Sequence, residues 1–278
     1  MPELPEVETI ARALRPALVG RQIMAAEVRW PRTVAAPSIP KFKRQIQGQV
    51  IREVDRRAKF LHLALSRSHL FIHLRMSGDL QVKNGKAKAG KHDRLILMLT
   101  STEGREVPAT KAQLTSLVFN DTRKFGRIWL TDGVETVTGR LGPEPLSREF
   151  TAEVLHHLLH GRRRRLKPLL LDQTFLAGMG NIYTDEALHL AKLHPLRSSE
   201  TVTKPQAERL HGAIRTVLQE GIRRNGASID WVYRGGEFQN HFRVYDRTGQ
   251  PCPVCGTKIR RLVVGQRGTH ICPRCQRM

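Results

Sequence analysis

The first ten residues, MPELPEVETI, set three carboxylates, Glu3, Glu6 and Glu8, around a proline that directly follows the initiator methionine. Methionine is commonly removed before a residue as small as proline, and its removal would expose the secondary amine of Pro2. An α-amino group titrates near ~8, well below lysine, so a useful fraction is unprotonated at neutral pH. Such an amine can attack an aldehyde-like sugar carbon and form an iminium. Glu3 beside it can move protons during ring opening and elimination. The same residues also make an ordinary acidic helix start preceded by proline, and position alone favours that plainer reading.

All four cysteines fall near the C-terminus as two C-x2-C pairs, Cys252 with Cys255 and Cys272 with Cys275. This spacing matches the two knuckles of a structural zinc site, and four thiolates around one Zn2+ leave no open position for catalysis. A redox dithiol pair is the rival, without the βαβ setting that would support it. The segment between the knuckles is expected to form a hairpin, with Gly265 and Gly268 flanking its turn and Gln266 and Arg267 at a basic tip. Taken alone, Arg267 fits a solvated turn residue as well as a cation entering a nucleic-acid groove.

Two more stretches combine residue types that hold phosphates. GMGN, ahead of a helical pattern, puts Gly178 and Gly180 at a turn whose N–H groups face the positive end of a helix. Asn181 can cap that helix or donate to a phosphate oxygen, and Lys167 and the RRRR run at 162–165 lie upstream. A glycine turn before a helix is also a common structural device. FNDTRKFGR sets Arg123 and Lys124 beside Phe125, a combination that can grip phosphates while a ring or guanidinium wedges into a base stack. Phe125 is equally suited to a core.

These residues belong to a 278-residue chain with 47 Lys+Arg against 25 Asp+Glu, a formal net charge of +22. The excess attracts polyanions, because each neutralised phosphate releases condensed counterions, so nucleic acid is the expected partner ahead of a membrane surface. No apolar run approaches the ~18 residues that span a bilayer, and no charged-then-apolar leader precedes the first helical pattern. A cytoplasmic, nucleoid-associated location without signal peptide or transmembrane segment is therefore expected.

The elements that must position the chemistry follow from hydrophobic spacing. From Glu6 onward, Val7, Ile10, Ala11, Leu14 and Leu18 recur at helical intervals. The runs QVIREVD, KFLHLAL, HLFIHLR and DRLILMLT are too short and close together for βαβ units, so antiparallel sheets in a sandwich are expected. KNGKAKAG and STEGREVPATKAQ read as loops, and GRLGPEPLS, with its glycines and prolines, as a linker. Three helical patterns follow, FTAEVLHHLLHG, NIYTDEALHLAKLH and KPQAERLHGAIRTVLQEGIRR. The expected division is a β-sandwich domain over 1–138, a linker over 139–147, a helical domain over 148–240 and a zinc hairpin over 241–278.

Taken in order, PELPEVET, RRAKF around Lys59, MSG at Met76, KHD at His92, DTRKFG, LGPEPL, GMGNIYTDEAL and the cysteine tail resemble the formamidopyrimidine-DNA glycosylases. The wider group includes the endonuclease VIII enzymes. The resemblance implies a multidomain α+β fold, with an N-terminal antiparallel β-sandwich flanked by helices, a helix-two-turn-helix domain and a C-terminal zinc-ribbon hairpin. It implies a monomeric, bifunctional base-excision repair enzyme for double-stranded DNA carrying an oxidised base or an abasic site, with the damaged nucleotide flipped from the stack. On the family pattern Pro2 attacks C1′, releases the base and forms a Schiff base. Glu3 transfers protons, and β- and δ-elimination cut the strand on both sides. One structural Zn2+ and no catalytic cofactor are implied.

Carried over by position, Pro2, Glu3, Lys59 and Arg267 form the expected catalytic set, with Lys59 near the lesion's phosphate and base. Met76, Arg123 and Phe125 match the residues that fill the vacated gap, and Lys124 stands where arginine is common. His92, Lys167, Asn181 and Arg267 match phosphate contacts around the lesion, while Glu6 and Glu186 match acidic residues that support the site. PELPE favours the formamidopyrimidine branch, since endonuclease VIII enzymes carry glycine in place of Leu4. Formamidopyrimidines and 8-oxoguanine are thus the expected bases. DWVYRGGE is shorter than the loop that usually closes over an everted 8-oxoguanine, which keeps oxidised pyrimidines as the alternative. The segment after DRLILMLT is longer than usual. A non-catalytic binder of damaged DNA is the competing class, and the presence of Pro2, Glu3 and Lys59 argues against it.

Overall fold

The apolar spacing near the N-terminus folds as helix α1, Leu4–Leu18, which starts two residues before the predicted Glu6. The computed structural model describes residues 1–101, 114–228 and 235–278. The predicted loop STEGREVPATKAQ and the stretch DWVYRGGE lie outside them, apart from Ser101 and 235–237. Contacts divide the chain into two units, the first holding 1–2 and 6–140, the second 3–5, 141–228 and 235–278 among the described residues.

The first unit continues with β1 (Arg21–Val28), β2 (Val34–Ala36), α2 (Ile39–Ile46), β3 (Ile51–Arg57), β4 (Phe60–Leu65), β5 (His69–His73), β6 (Gly78–Asn84), β7 (Asp93–Ser101), β8 (Leu114–Asp121), β9 (Arg127–Thr131) and the short α3 (Glu135–Thr138). They form two sheets, ordered β1-β7-β8-β6 and β2-β9-β5-β4-β3. In β4 the alternation of FLHLAL buries Leu61, Leu63 and Leu65 and leaves the residues between them half-buried, as the two-residue period of a strand requires. Leu97, Leu117 and Phe119 of one sheet share a core with Leu63, Ile72 and Ile128 of the other. Val7, Ala11, Leu14 and Leu18 of α1 and Phe42 of α2 complete it. This is the expected sandwich with one departure: β2 pairs parallel to β9. Parallel pairing needs a long crossover, and the residues between these two strands supply it.

The second unit carries α4 (Ala152–His160), α5 (Leu166–Leu171), α6 (Asn181–Leu190), α7 (Lys204–Arg223) and the hairpin β10 (Arg260–Val264) and β11 (Arg267–Ile271). Thr203 and Gln206 close a capping box at the start of α7. At its end Gly226, with φ +77°, returns its amide to the Gly221 carbonyl at 2.7 Å. A Cβ on Gly221 would come within 2.5 Å of the Tyr183 ring, so glycine sets how closely α7 approaches α6. Leu155, Leu169, Tyr183, Leu210, Ile214 and Phe238 lie in this unit's core. Within the predicted linker, the Gly142 amide donates to the Gln173 carbonyl at 2.9 Å, and Arg215 Nη1 donates to the Ser147 carbonyl at 2.9 Å. No helix among the described residues is long and apolar enough to cross a membrane.

Candidate active site and metal centre

Glu3 is buried, and its Oε1 accepts the Ile182 amide at 3.0 Å while Oε2 lies 3.5 Å from the Tyr183 amide. It therefore occupies the N-terminus of α6, where unpaired N–H groups and the helix dipole favour a carboxylate. The glycines of GMGN make this approach possible. Gly178 adopts φ +93° and its carbonyl accepts the Leu4 amide at 3.1 Å. A Cβ on Gly180 would stand 2.1 Å from the Glu3 carboxyl carbon. The amides that the sequence offers to a phosphate are thus partly taken by the protein's own carboxylate. Pro2 precedes that anchored residue by one peptide bond and is itself buried. Glu6 is buried in the first turn of α1, whereas Glu8 pairs with Arg12 at 2.7 Å and Arg56 at 3.0 Å.

Lys59 lies in the two-residue turn between β3 and β4, bounded by the pair Arg57 and Phe60. The turn's first residue, Ala58, takes φ +53°, a left-handed conformation that costs an alanine about 1 kcal/mol. Such strain persists where the surroundings over-determine the backbone. Lys59 is buried. Close by, burial first, then the charges of Arg75 and Lys59, hold the His73 imidazole down to about 3. The ring is therefore neutral; its Nδ1 accepts the Arg75 amide at 3.0 Å, and it meets Phe60 edge-on at 4.7 Å.

Met76, His92, Arg123 and Phe125 are linked through Asp121, which is not among the expected site residues. Asp121 is fully buried and accepts the Gly126 amide at 2.7 Å, the Arg123 amide at 3.2 Å and the Ser77 hydroxyl. Ser77 Oγ in turn accepts the Arg123 amide at 3.1 Å, which ties the turn carrying Met76 to the loop carrying Arg123. The Asp121 amide donates to the His92 carbonyl at 2.9 Å, and Arg94 Nε donates to the Asp121 carbonyl at 2.7 Å. Held this way, Met76 and Phe125 remain 37% and 48% exposed, and the Arg123 guanidinium sits 4.9 Å from the Phe125 ring centroid. Exposed apolar side chains on a braced loop beside a cation suit insertion between bases. Lys124, at φ +61°, instead places its Nζ 4.0 Å from the Trp30 ring centroid. The aspartate directly before TRKFG is the signal that could have identified Asp121, since aspartate favours turn starts.

In the second unit, Lys167 is fully buried and its Nζ donates to Asp185 Oδ1 at 2.6 Å and to the Gly268 carbonyl at 3.0 Å. Burial lowers its pKa and the Asp185 carboxylate opposes that shift. Asn181 Nδ2 donates to the same Gly268 carbonyl at 3.1 Å. Asp185 Oδ2 also accepts the His270 amide at 2.9 Å, so this unpredicted residue pins β11 to α6. The hairpin turns on Gly265 and Gln266, both left-handed at φ +56° and +60°, between the paired Val264 and Arg267. Gly268 therefore lies within β11 rather than flanking the turn, and its carbonyl serves Lys167 and Asn181. Arg267 opens β11 and is exposed. Glu186 is fully buried and accepts the amides of Arg243, Val244 and Tyr245, each at 2.9 Å. Burial pushes its pKa up against those donors, and its carboxyl group holds the chain that leads into the hairpin.

The four cysteine sulfurs lie within 4.8 Å of one another, with pairs at 3.4, 3.5 and 3.9 Å. A disulfide would bring two of them to ~2.05 Å. The observed distances bracket the edge of about 3.8 Å in a tetrahedron of sulfurs around Zn2+. The Val254 amide points at Cys252 Sγ from 3.5 Å and the Cys275 amide at Cys272 Sγ from 3.4 Å, an arrangement that suits thiolates. The site fits one closed, structural zinc ion.

Three family models match the chain in order. They are the formamidopyrimidine-DNA glycosylase N-terminal domain over residues 1–128, the formamidopyrimidine-DNA glycosylase H2TH domain over 141–232, and the zinc finger found in FPG and IleRS over 249–277. The formamidopyrimidine-DNA glycosylase of Chloroflexus aurantiacus is 46% identical over 284 residues, which cover 99% of this chain and 98% of the relative. That of Symbiobacterium thermophilum is 43% identical over 285 residues, covering 99% and 89%. Among solved structures, a complex of Lactococcus lactis Fpg with DNA containing an abasic site has a TM-score of 0.88 at 34% identity, covering 99% of this chain and 100% of that one. MutM in complex with DNA containing carbocyclic 8-oxo-G has a TM-score of 0.88 at 35% identity, covering both chains fully at 100%.

Proposed function

Because the chain belongs to the formamidopyrimidine-DNA glycosylase family, we propose that it excises oxidised bases from duplex DNA and cuts the strand at the resulting abasic site. The observation that carries this reading is the anchoring of Glu3 on α6 one residue after Pro2. Once Met1 is removed, the Pro2 nitrogen attacks C1′ of the flipped nucleotide. The bond from C1′ to the base breaks, and the base leaves with the electron pair. The sugar ring opens, O4′ takes up a proton, and an iminium remains between C1′ and Pro2. That iminium acidifies the C2′ hydrogen, whose loss expels the 3′ phosphate; a second elimination expels the 5′ phosphate. Glu3 is placed for these proton transfers beside Pro2, with Oε1 accepting the Ile182 amide at 3.0 Å and Oε2 3.5 Å from the Tyr183 amide.

Lys59 supplies a cation for the lesion's phosphate, and Arg267 offers one at the hairpin turn. Met76, Arg123 and Phe125 fill the gap that the everted nucleotide leaves. His92 adds a phosphate contact on the loop braced by Asp121, while Lys167, fully buried and paired with Asp185 rather than open to a phosphate, acts with Asn181 through the β11 carbonyl they hold. Cys252, Cys255, Cys272 and Cys275 would hold a Zn2+ that maintains the hairpin, and four thiolate ligands would leave it no open position for bond making. The protein works as a monomer in the cytoplasm, at the nucleoid, with the sandwich, helical and ribbon segments dividing as the sequence suggests.

Oxidised purines are the preferred lesions, a reading supported by the PELPE start. Excision rates on otherwise identical duplexes carrying 8-oxoguanine, a formamidopyrimidine or thymine glycol test it. The two purine-derived lesions should be removed fastest, and a preference for thymine glycol would reverse the assignment.

A further inference from the structure

Helix α6 meets the hairpin and its knuckles along one stripe. Asn181, Asp185 and His189 are four residues apart and leave the same helix face. Asn181 reaches the Gly268 carbonyl at 3.1 Å, Asp185 receives the His270 amide at 2.9 Å, and His189 Nε2 stands 3.4 Å from Cys252 Sγ. The first two contacts hold β11, and the third touches a metal ligand. His189 is 2% exposed, and its Nδ1 has no hydrogen-bond partner among the described residues.

A neutral imidazole carries one N–H and one lone pair. With Zn2+ on the four cysteines, Cys252 is a thiolate and can only accept. A proton on Nδ1 would leave a buried N–H unpaired and turn the Nε2 lone pair toward the charged sulfur. A proton on Nε2 removes both penalties and leaves only an unused lone pair at Nδ1. We propose that His189 donates its Nε2–H to the Cys252 thiolate of the zinc-loaded protein, as a positioning residue that retains the metal and joins it to α6. The bond draws charge from the sulfur, so protonation and departure of that ligand become less favourable. The Val254 amide reaches the same sulfur at 3.5 Å from within the knuckle, whereas His189 comes from the helix that also carries Asn181. Metal loss is thereby felt on the helix that holds β11. Retention of the ribbon's metal does not depend on the chemistry at Pro2.

The test compares full-length wild type with His189→Phe, which keeps a ring without a donor, and His189→Gln, which restores an N–H donor at similar reach. Zinc transfer to a chromogenic chelator should be about tenfold faster for His189→Phe, in line with the loss of an outer hydrogen bond to a metal ligand. After exchange for Co2+, its sulfur-to-cobalt charge-transfer band should move to longer wavelength, and His189→Gln should return both readings toward wild type. Equal release rates and identical cobalt bands in wild type and His189→Phe would overturn the proposal. If the Phe variant does not fold, NMR of wild type loaded with spin-active cadmium decides the matter. A scalar coupling from the His189 Nε2 proton through sulfur to the metal supports the bond, and a proton assigned to Nδ1 refutes it.

Discussion

Glu3 both closes the N-terminus of α6 and adjoins the nitrogen proposed to react. Glu3→Gln retains an oxygen for the Ile182 amide but cannot exchange a proton. Excision and strand cutting should fall by about 100-fold or more, while the melting temperature stays near that of wild type. A large loss of both would mean that the carboxylate serves mainly the helix. His73 makes a separate prediction about acid. Its folded pKa of about 3 lies below the ~6.5 of an unfolded histidine. Between those values the unfolded chain binds the proton, so the neutral ring's contribution is complete above ~6.5. It declines by up to ~1.4 kcal/mol per pH unit as pH falls toward about 3. His73→Asn keeps an acceptor for the Arg75 amide, and its urea midpoint should fall less steeply than wild type across that window.

At the scale of elements, the loop between β8 and β9 depends on Asp121. Asp121→Asn turns a donor toward groups that now donate to a carboxylate, at about 1.5–3 kcal/mol for lost charged hydrogen bonds. Affinity for an abasic-site duplex should drop by roughly tenfold or more on that arithmetic, as Met76 and Phe125 lose their brace. Unchanged affinity, measured by anisotropy, would remove Asp121 from the interface. Features encoded locally were legible in the sequence: the cysteine spacing, the helical period of α1 and α7, the alternation of β4 and the glycine turn before α6. Contacts between distant residues were not. Lys167 and Asn181 have the residue types of phosphate ligands, and nothing near them signals that both reach the Gly268 carbonyl or that Asp185 completes the set. Gly268 looked like a turn residue because a second glycine lay three positions earlier, yet Gln266 accepts the left-handed conformation instead. The parallel pairing of β2 is not legible in the sequence because a three-residue strand has no readable period.

For the whole molecule, a net charge of +22 supplies general attraction to DNA, while the hairpin proposed to meet the lesion is held by the four-cysteine cluster and the buried Lys167–Asp185 pair. Chelating the metal should release the knuckles, loosen β10 and β11, and weaken binding to abasic-site duplex; equal affinity of the metal-free protein would contradict the role given to the ribbon. The central claim is that the Pro2 nitrogen becomes covalently attached to the sugar. Borohydride reduction during reaction with lesion-containing duplex, followed by peptide mapping of protein shown by mass to begin at Pro2, tests it most directly. A single adduct on Pro2 is predicted. No adduct, or an adduct on a lysine with Pro2 unmodified, would contradict the account.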